Sequence, residues 1–174
     1  MILQELFQSE AIKWKWSVKG FSKWVATFDV DVPEKLRTKQ LPKKLVYYVD
    51  FIHSYVNEIS HVAVDEEACR KIFSSGEEGE KPIWKFNFHT RGYDQFPIYN
   101  LTKTGNPIAI FNTVIKIVFD FDKQKKPKGY YFYGFDEKQG RFYKFLIDKF
   151  LKNTDLKSLP TKEPGYFILY RETP

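Results

Sequence analysis

The chain has 174 residues, of which 43% are hydrophobic and 18% aromatic, and its formal net charge is +6. This length and composition predict a single globular domain over residues 1–174 and exclude a disordered chain. The lone cysteine, Cys69, excludes an intramolecular disulfide framework and a cysteine-based zinc site.

Residues 1–100 are predicted to be mainly a meander of antiparallel strands. Apolar residues alternate with lysine and serine in "IKWKWSVKG", which places Trp14, Trp16 and Val18 on one buried face. The same alternation recurs in "KWVATFDVDV", "KKLVYYVDFIHSY" and "KPIWKFNFHT". The predicted inward-facing residues of these three runs are Trp24, Ala26, Phe28 and Val30, then Leu45, Tyr47, Val49 and Phe51, then Trp84, Phe86 and Phe88. Residues 65–73 interrupt the strands with a short predicted helix, and 98–101 form a further short strand.

Residues 101–174 change to a helix–strand–helix–strand order. Apolar residues at helical spacing predict a helix over 107–122, with Asn106 as its N-cap and Pro107 in its first position. The polar stripe of this helix, which includes Thr113, is thin, so the helix is predicted to be covered on most sides.

The remaining elements complete an α+β fold. The run 130–135 is apolar on both faces and predicts a central strand. A second helix is predicted over 137–152, after a capping box that begins at Asp136, and 165–172 form a last strand covered on both faces. The predicted fold is a twisted, mainly antiparallel sheet with two principal helices packed on it.

The segments "WKFNF", "YNLTKTGN", "IFNTVIKIVFDF" and "YYFYGFDEKQGRFYKFL" resemble a small uncharacterised protein family of tailed bacteriophages. The resemblance covers roughly residues 83–151. The matching positions are Thr104, Gly105, Asn106, Phe111, Thr113, Val114, Arg141 and Tyr143. This resemblance implies a viral accessory protein, either a virion component or a factor for host interaction or counter-defence.

The helix–strand–helix region is also similar, more remotely, to the acyl-CoA-binding half of GNAT acetyltransferases. That resemblance implies an acyl-CoA-dependent acyltransferase with acetyl-CoA as cofactor, its pyrophosphate held by amides at the start of the first helix. Here the turn supplies one glycine, Gly105, and Pro107 lacks an N–H donor. The N-terminal two-helix segment and the final hairpin of that fold have no recognisable counterpart in the sequence.

Thr104, Gly105 and Asn106 form the first candidate site. A small polar turn before a helix can bind an anion at the helix N-terminus. The alternative is a simple helix cap that stabilises the helix by about 1 kcal/mol. The sequence favours the cap, so no bound cofactor is predicted.

A basic segment is the second candidate site. Residues 123–162 carry 11 Lys or Arg against 4 Asp or Glu, whereas residues 1–122 carry 16 of each sign. Such asymmetry indicates a polyanionic or acidic partner, nucleic acid included, although a lysine-rich solvated surface is the alternative. The predicted partner surface comprises Lys123, Lys125, Lys126, Lys128, Lys138, Arg141, Lys144, Lys149 and Lys152.

No group of residues in the sequence matches a known catalytic motif. His53 and His89 read as ordinary surface histidines, and Glu66 and Glu67 disfavour a Cys69 thiolate, so no metal or catalytic site is predicted. The sequence favours a non-catalytic protein that binds a protein or polyanion, with an acyltransferase or a nucleic-acid-binding module as alternatives. The N-terminus lacks a signal-peptide pattern and no stretch reaches the ~18 apolar residues of a membrane span, so a cytoplasmic or virion location is expected.

Overall fold

Seven strands lie side by side in one sheet, in the order β1-β2-β3-β4-β5-β7-β6. The computed structural model describes residues 11–37, 43–74, 83–90, 107–134 and 137–172. The strands are β1 (Trp14–Lys19), β2 (Lys23–Asp31), β3 (Lys44–Ser54), β4 (Ile83–Thr90), β5 (Gly129–Tyr133), β6 (Lys157–Leu159) and β7 (Tyr166–Tyr170). The α-helices of the described residues are α1 (Val56–Ile59), α2 (Glu66–Phe73), α3 (Pro107–Lys125) and α4 (Glu137–Asn153), and 3₁₀ turns span Glu34–Leu36 and Ser60–Val62. This arrangement confirms the predicted α+β class.

The sheet is mostly antiparallel. β1 pairs antiparallel with β2, and β7 pairs antiparallel with both β5 and β6. The exception is β4 with β5, which run parallel and align Trp84 with Tyr130 and Phe86 with Phe132. A parallel pair needs a crossover, and α3 supplies it. β5 therefore has a neighbour on each side, as predicted for 130–135.

The chain forms two compact units. The first comprises Met1–Asp50 and Phe88–Lys123, and the second comprises Phe51–Asn87 and Gln124–Pro174. Each unit is therefore built from two separate stretches of sequence.

In the first unit, the inward face of the sheet is the one predicted. The inward-facing residues of β2 and β3, from Trp24 to Val30 and from Leu45 to Val49, are all buried. Trp16 and Phe121 enclose Trp24, with ring centroids 5.0 and 5.4 Å from it. These contacts fix α3 against β1 and β2.

The prediction for Val18 is wrong. Its side chain is 45% exposed, because the β1–β2 register shifts between Trp16 and Val18. A β-bulge at this point moves the following side chain to the other face of the sheet. The alternation rule holds only on the N-terminal side of the bulge.

Thr113 was expected on a polar stripe of α3 but is fully buried. Its Oγ1 accepts the N–H of Ile12 at 2.8 Å and donates to the carbonyl of Ala109 at 2.6 Å. Both hydrogen bonds satisfy the hydroxyl, which offsets the cost of burying it.

The second unit has side chains packed on both faces of β5. On one face, Tyr143 and Phe150 of α4 contact Phe132 and Tyr130, with centroids 5.9 and 5.3 Å apart. On the other face, Tyr131 joins a buried cluster with residues of α1, α2 and β7. This double coverage explains why β5 is apolar throughout.

Elements near the end of the second unit were only partly predicted. The last predicted strand is present as β7, and Ile168 and Leu169, which point to opposite faces, are both fully buried. The short strand β6 and the one-turn helix α1 were not predicted. The predicted strand at 98–101 and the capping residue Asp136 lie outside the described residues.

Arg171 ties the second unit together beside β7. Its guanidinium donates to the carbonyl of Pro127 and to Asp155 Oδ1, each at 2.7 Å. Its own carbonyl accepts the Lys128 Nζ at 2.6 Å. The residue is only 8% exposed, so a buried charge is satisfied by bonds to two separate loops.

Candidate functional site

The predicted turn Thr104-Gly105-Asn106 lies outside the described residues. α3 begins at Pro107, as the sequence predicts. The capping role of Asn106 stays a prediction.

The predicted basic surface is distributed over several elements. Lys123 belongs to the first unit and the other eight residues to the second. Several of the nine have local partners: Lys125 lies 5.9 Å from the ring centroid of Trp84, Lys128 bonds the Arg171 carbonyl, and Arg141 pairs with Glu137 at 3.3 Å. Lys149 lies 5.9 Å from the ring centroid of Phe145. Lys126 is beyond the end of α3, and Lys138, Lys144, Lys149 and Lys152 are along α4.

Arg141 and Lys144 share a pocket of about 740 Å³ in the second unit. The pocket lies between the start of α4 and the loop joining β6 to β7, and Tyr133 and Tyr166 also line it. Glu137 and Glu163 are in the same lining. The two cations are therefore matched by two carboxylates, which leaves this pocket without an excess of positive charge.

A larger groove lies in the first unit, on the sheet face opposite the buried one. Its volume is about 1010 Å³. It follows the outward-facing side chains of β1, β2 and β3 and ends at His89 of β4. Its polar and aromatic lining residues are Lys13, Trp14, Lys15, Ser17, Lys23, Thr27, Phe28, Asp29, Tyr48, Asp50 and His89.

Three lysines border this groove: Lys13, Lys15 and Lys23, all exposed. Lys13 and Lys15 stand on the same side of one strand, so their attachment points are separated by about 7 Å. Two carboxylates, Asp29 and Asp50, oppose them. Lysine Nζ groups are hydrogen-bond donors only, so the border of the groove suits an anionic ligand.

His89 and Asp50 form a hydrogen-bonded pair within the groove. The His89 Nε2 lies 2.9 Å from Asp50 Oδ2. The Asp50 side chain is 10% exposed and that of His89 45%. The imidazole also stacks on Tyr48, with ring centroids 5.5 Å apart and an angle of 12° between the planes. Two contacts therefore fix the orientation of this ring.

This pair was not predicted from the sequence, although strand alternation contains the signal for it. Tyr48 and Asp50 occupy the outward positions of β3, since Tyr47, Val49 and Phe51 point inward. His89 follows the inward Phe88 and so also points outward. The alternation does not specify which residues of β3 and β4 stand side by side, and that alignment decides the pairing.

His53 has a different environment. In the second unit, the His53 ring contacts the Trp84 ring edge-on, with ring centroids 4.1 Å apart. Burial lowers the pKa of His53, and the nearby Lys125 lowers it further. Both effects favour the neutral imidazole.

Cys69 is buried, and burial raises the pKa of its thiol to about 11. Glu66 also raises this pKa, whereas Arg70 lowers it. The thiolate is thus disfavoured, as expected, but chiefly through burial. Within the described ranges, no group of three or more His, Cys, Asp or Glu side chains is placed to hold a metal ion.

None of the helices in the described residues is both long and apolar enough to cross a membrane. No family model, curated protein or solved structure matches the chain.

Proposed function

We propose that this chain is a non-catalytic accessory protein of the phage type that acts by binding a polyanionic partner. The groove in the first unit is the binding surface, and single-stranded nucleic acid is the partner class it fits. The observation that carries this proposal is a lysine-bordered groove on an open sheet face that also presents aromatic rings. Its role in the infecting particle or in the host cell follows from the phage resemblance and belongs to the same proposal.

The charges of the groove support a phosphate backbone as ligand. Lys13, Lys15 and Lys23 offer three ammonium groups, and His89 already engages the more buried carboxylate, Asp50. Contacts of lysine with phosphate release counterions and give affinity that does not depend on sequence.

The aromatic rings support a single strand over a duplex. Tyr48 and His89 present their rings on this face, whereas Trp14 pairs with the inward-facing Phe28 and its ring contacts Trp16. Unpaired bases stack on such rings with about 1–3 kcal/mol per base, whereas the bases of a duplex are already stacked on each other. Near α4, Tyr133 and Tyr166 line a pocket with Arg141 and Lys144, but Glu137 and Glu163 in the same lining oppose an anionic ligand there.

Reversal of the groove charges should weaken binding of a labelled single-stranded oligonucleotide. We expect the Lys13→Glu, Lys15→Glu, Lys23→Glu triple variant to bind at least about tenfold more weakly, because three phosphate contacts become repulsive. The slope of log affinity against log salt should become shallower by roughly 2, since about 0.7 is lost for each phosphate contact to a single strand. Fluorescence anisotropy over a salt series measures both quantities.

A triple variant of α4 provides the matched control, with the same change in net charge. Lys144→Glu, Lys149→Glu, Lys152→Glu should retain the parent affinity and salt slope. Loss of binding in this variant alone would transfer the function to the predicted basic surface. Absence of binding by the parent protein at low salt would overturn the polyanion proposal.

A second candidate function is acyl transfer from acyl-CoA, with a GNAT-like layering of α3 and α4 on the sheet. The element order β4-α3-β5-α4 followed by a hairpin favours this candidate. The hairpin is formed by β6 and β7, which pair antiparallel. The sequence alone offered no counterpart for that hairpin. The cofactor of this alternative is acetyl-CoA.

Acetyl-CoA is expected to leave the thermal midpoint of the protein unchanged. A ligand that binds only the native state must raise the midpoint in proportion to its occupancy. The turn that would hold its pyrophosphate has one glycine, Gly105, and is followed by Pro107, which has no N–H to offer. Differential scanning fluorimetry against a concentration series provides the measurement. A saturable rise that Gly105→Val abolishes would favour the acyltransferase over the binding protein.

A further inference from the structure

We propose that His89 makes the groove selective for RNA over DNA by accepting a hydrogen bond from a ribose 2′-hydroxyl. This inference rests on the proposed function, because it names the class of nucleic acid that the same groove takes. It concerns a contact that the lysines cannot make, since the lysines would meet the phosphates of RNA and DNA alike.

Asp50 sets the tautomer of the His89 imidazole. A carboxylate only accepts hydrogen bonds, so the Nε2 at 2.9 Å from Asp50 Oδ2 carries the proton in the neutral ring. The other nitrogen, Nδ1, then holds a lone pair. In the described residues, the contacts of this ring are the bond to Asp50 and the stacking on Tyr48, and the proposed ligand contact is at Nδ1.

Two contacts hold that lone pair in place. The Asp50 side chain is 10% exposed, so the packing around it fixes the position of the carboxylate that holds Nε2. The Tyr48 ring lies nearly parallel to the imidazole and restricts the rotation of the imidazole about its Cβ–Cγ bond. A fixed acceptor loses little conformational entropy when a ligand binds, which makes it suitable for discrimination.

The 2′-hydroxyl is the group that distinguishes RNA from DNA along a single strand, and it can donate a hydrogen bond. The Nζ atoms of Lys13, Lys15 and Lys23 only donate, so they cannot accept from it. The Ser17 hydroxyl donates to the Val25 carbonyl, and its oxygen can still accept a hydrogen bond. Thr27, Asp29 and Tyr48 also bring acceptor oxygens to the groove, and Nδ1 of His89 is distinguished by the two side-chain contacts that orient its ring.

The test compares three single-stranded oligonucleotides of one sequence: RNA, DNA with deoxyuridine in place of thymidine, and 2′-O-methyl RNA. Binding is measured by fluorescence anisotropy at pH 8. We expect RNA to bind about fivefold more tightly than DNA, the gain from one hydrogen bond. The 2′-O-methyl RNA should bind like DNA, because the methyl group removes the donor and keeps the oxygen.

The matched variant is His89→Phe, which keeps a ring against Tyr48 and removes Nδ1. It should bind RNA and DNA with equal affinity, and the ratio of the two affinities is the quantity to compare with the parent. Asp50→Asn should also reduce the preference, because an amide can donate to Nε2 and shift the ring proton to Nδ1. Should either variant fail to fold, the 2′-O-methyl comparison on the parent protein still decides.

The role of His89 would be overturned if the parent bound RNA and DNA equally. It would also be overturned if the preference survived in 2′-O-methyl RNA or in a folded His89→Phe variant. The proposed function fails in a different way, through absence of binding to all three oligonucleotides or indifference to the lysine reversal. The two failures are thus distinguishable in one set of titrations.

Discussion

The Gly129→Ala variant is expected to lose about 3 kcal/mol or more of its free energy of unfolding. An added Cβ would lie 2.3 Å from the Leu169 carbonyl oxygen and 2.5 Å from Cε1 of Phe73. The first contact is with backbone and cannot be relieved by a side-chain rotation. Relief requires β5 to move away from β7 or Phe73 to leave its fully buried site. Overpacking of this kind costs roughly 1–3 kcal/mol, more where the neighbours are rigid. Urea denaturation followed by circular dichroism measures the loss.

Gly140→Ala is the control for this prediction. The nearest heavy atom to its added Cβ is the Gly165 Cα at 3.8 Å, an ordinary van der Waals distance. Gly140 lies within α4, where alanine is favoured over glycine by about 1 kcal/mol. The control should therefore be unchanged or slightly more stable, and equal stability of both variants would contradict the close packing of β5 against β7.

The Arg171→Met variant is expected to lose about 3 kcal/mol of stability. Methionine keeps the apolar stem but removes the hydrogen bonds to Pro127 and Asp155. The Pro127 carbonyl then loses its charged donor in a buried setting, and such losses cost several kcal/mol when a charged partner is removed. Lysine should restore little, because a single ammonium cannot reproduce the two directions of a guanidinium.

Arg141→Met is the matched control, since Arg141 is 69% exposed and its ion pair with Glu137 should contribute at most about 0.5 kcal/mol.

The pH dependence of stability gives a second check on the role of Arg171. Burial raises the pKa of Asp155, but the hydrogen bond and charge of Arg171 lower it by more, and the net pKa lies below 3.8. A lowered pKa means that the pair stabilises the fold above the ordinary carboxyl range and loses this effect as the pH falls. The difference between parent and Arg171→Met should accordingly shrink in acid.

Strands and helices were predictable here because local patterning and tertiary burial agree. In β2 and β3, the apolar residues recur at every second position. They all lie on one face of each strand, and that face is the one that is buried. α4 begins at Glu137 and α3 at Pro107, as their start signals indicate. Val18 departs from the pattern because a bulge depends on how two strands align, which one strand alone does not encode.

The groove was harder to predict because its parts are distant in sequence. Asp50 and His89 are separated by 39 residues and meet only through strand alignment. Arg171 lies within the predicted strand 165–172, and its bonds to Pro127 and Asp155 depend on loops that the strand pattern does not specify. Charge counting instead drew attention to 123–162, where Lys125, Lys128 and Arg141 each have a local partner.

The interleaving of the two units has a consequence for synthesis on the ribosome. The first unit requires Phe88–Lys123, so it cannot close until that stretch has emerged, although Met1–Asp50 emerges early. Phe51–Asn87 must likewise wait for Gln124–Pro174. Domains usually fold as they emerge, N-terminal first, whereas here both units remain open until late in translation. Truncation at a point within residues 51–123 removes part of each unit, so nested deletions that end in this range will not map a binding region to one unit.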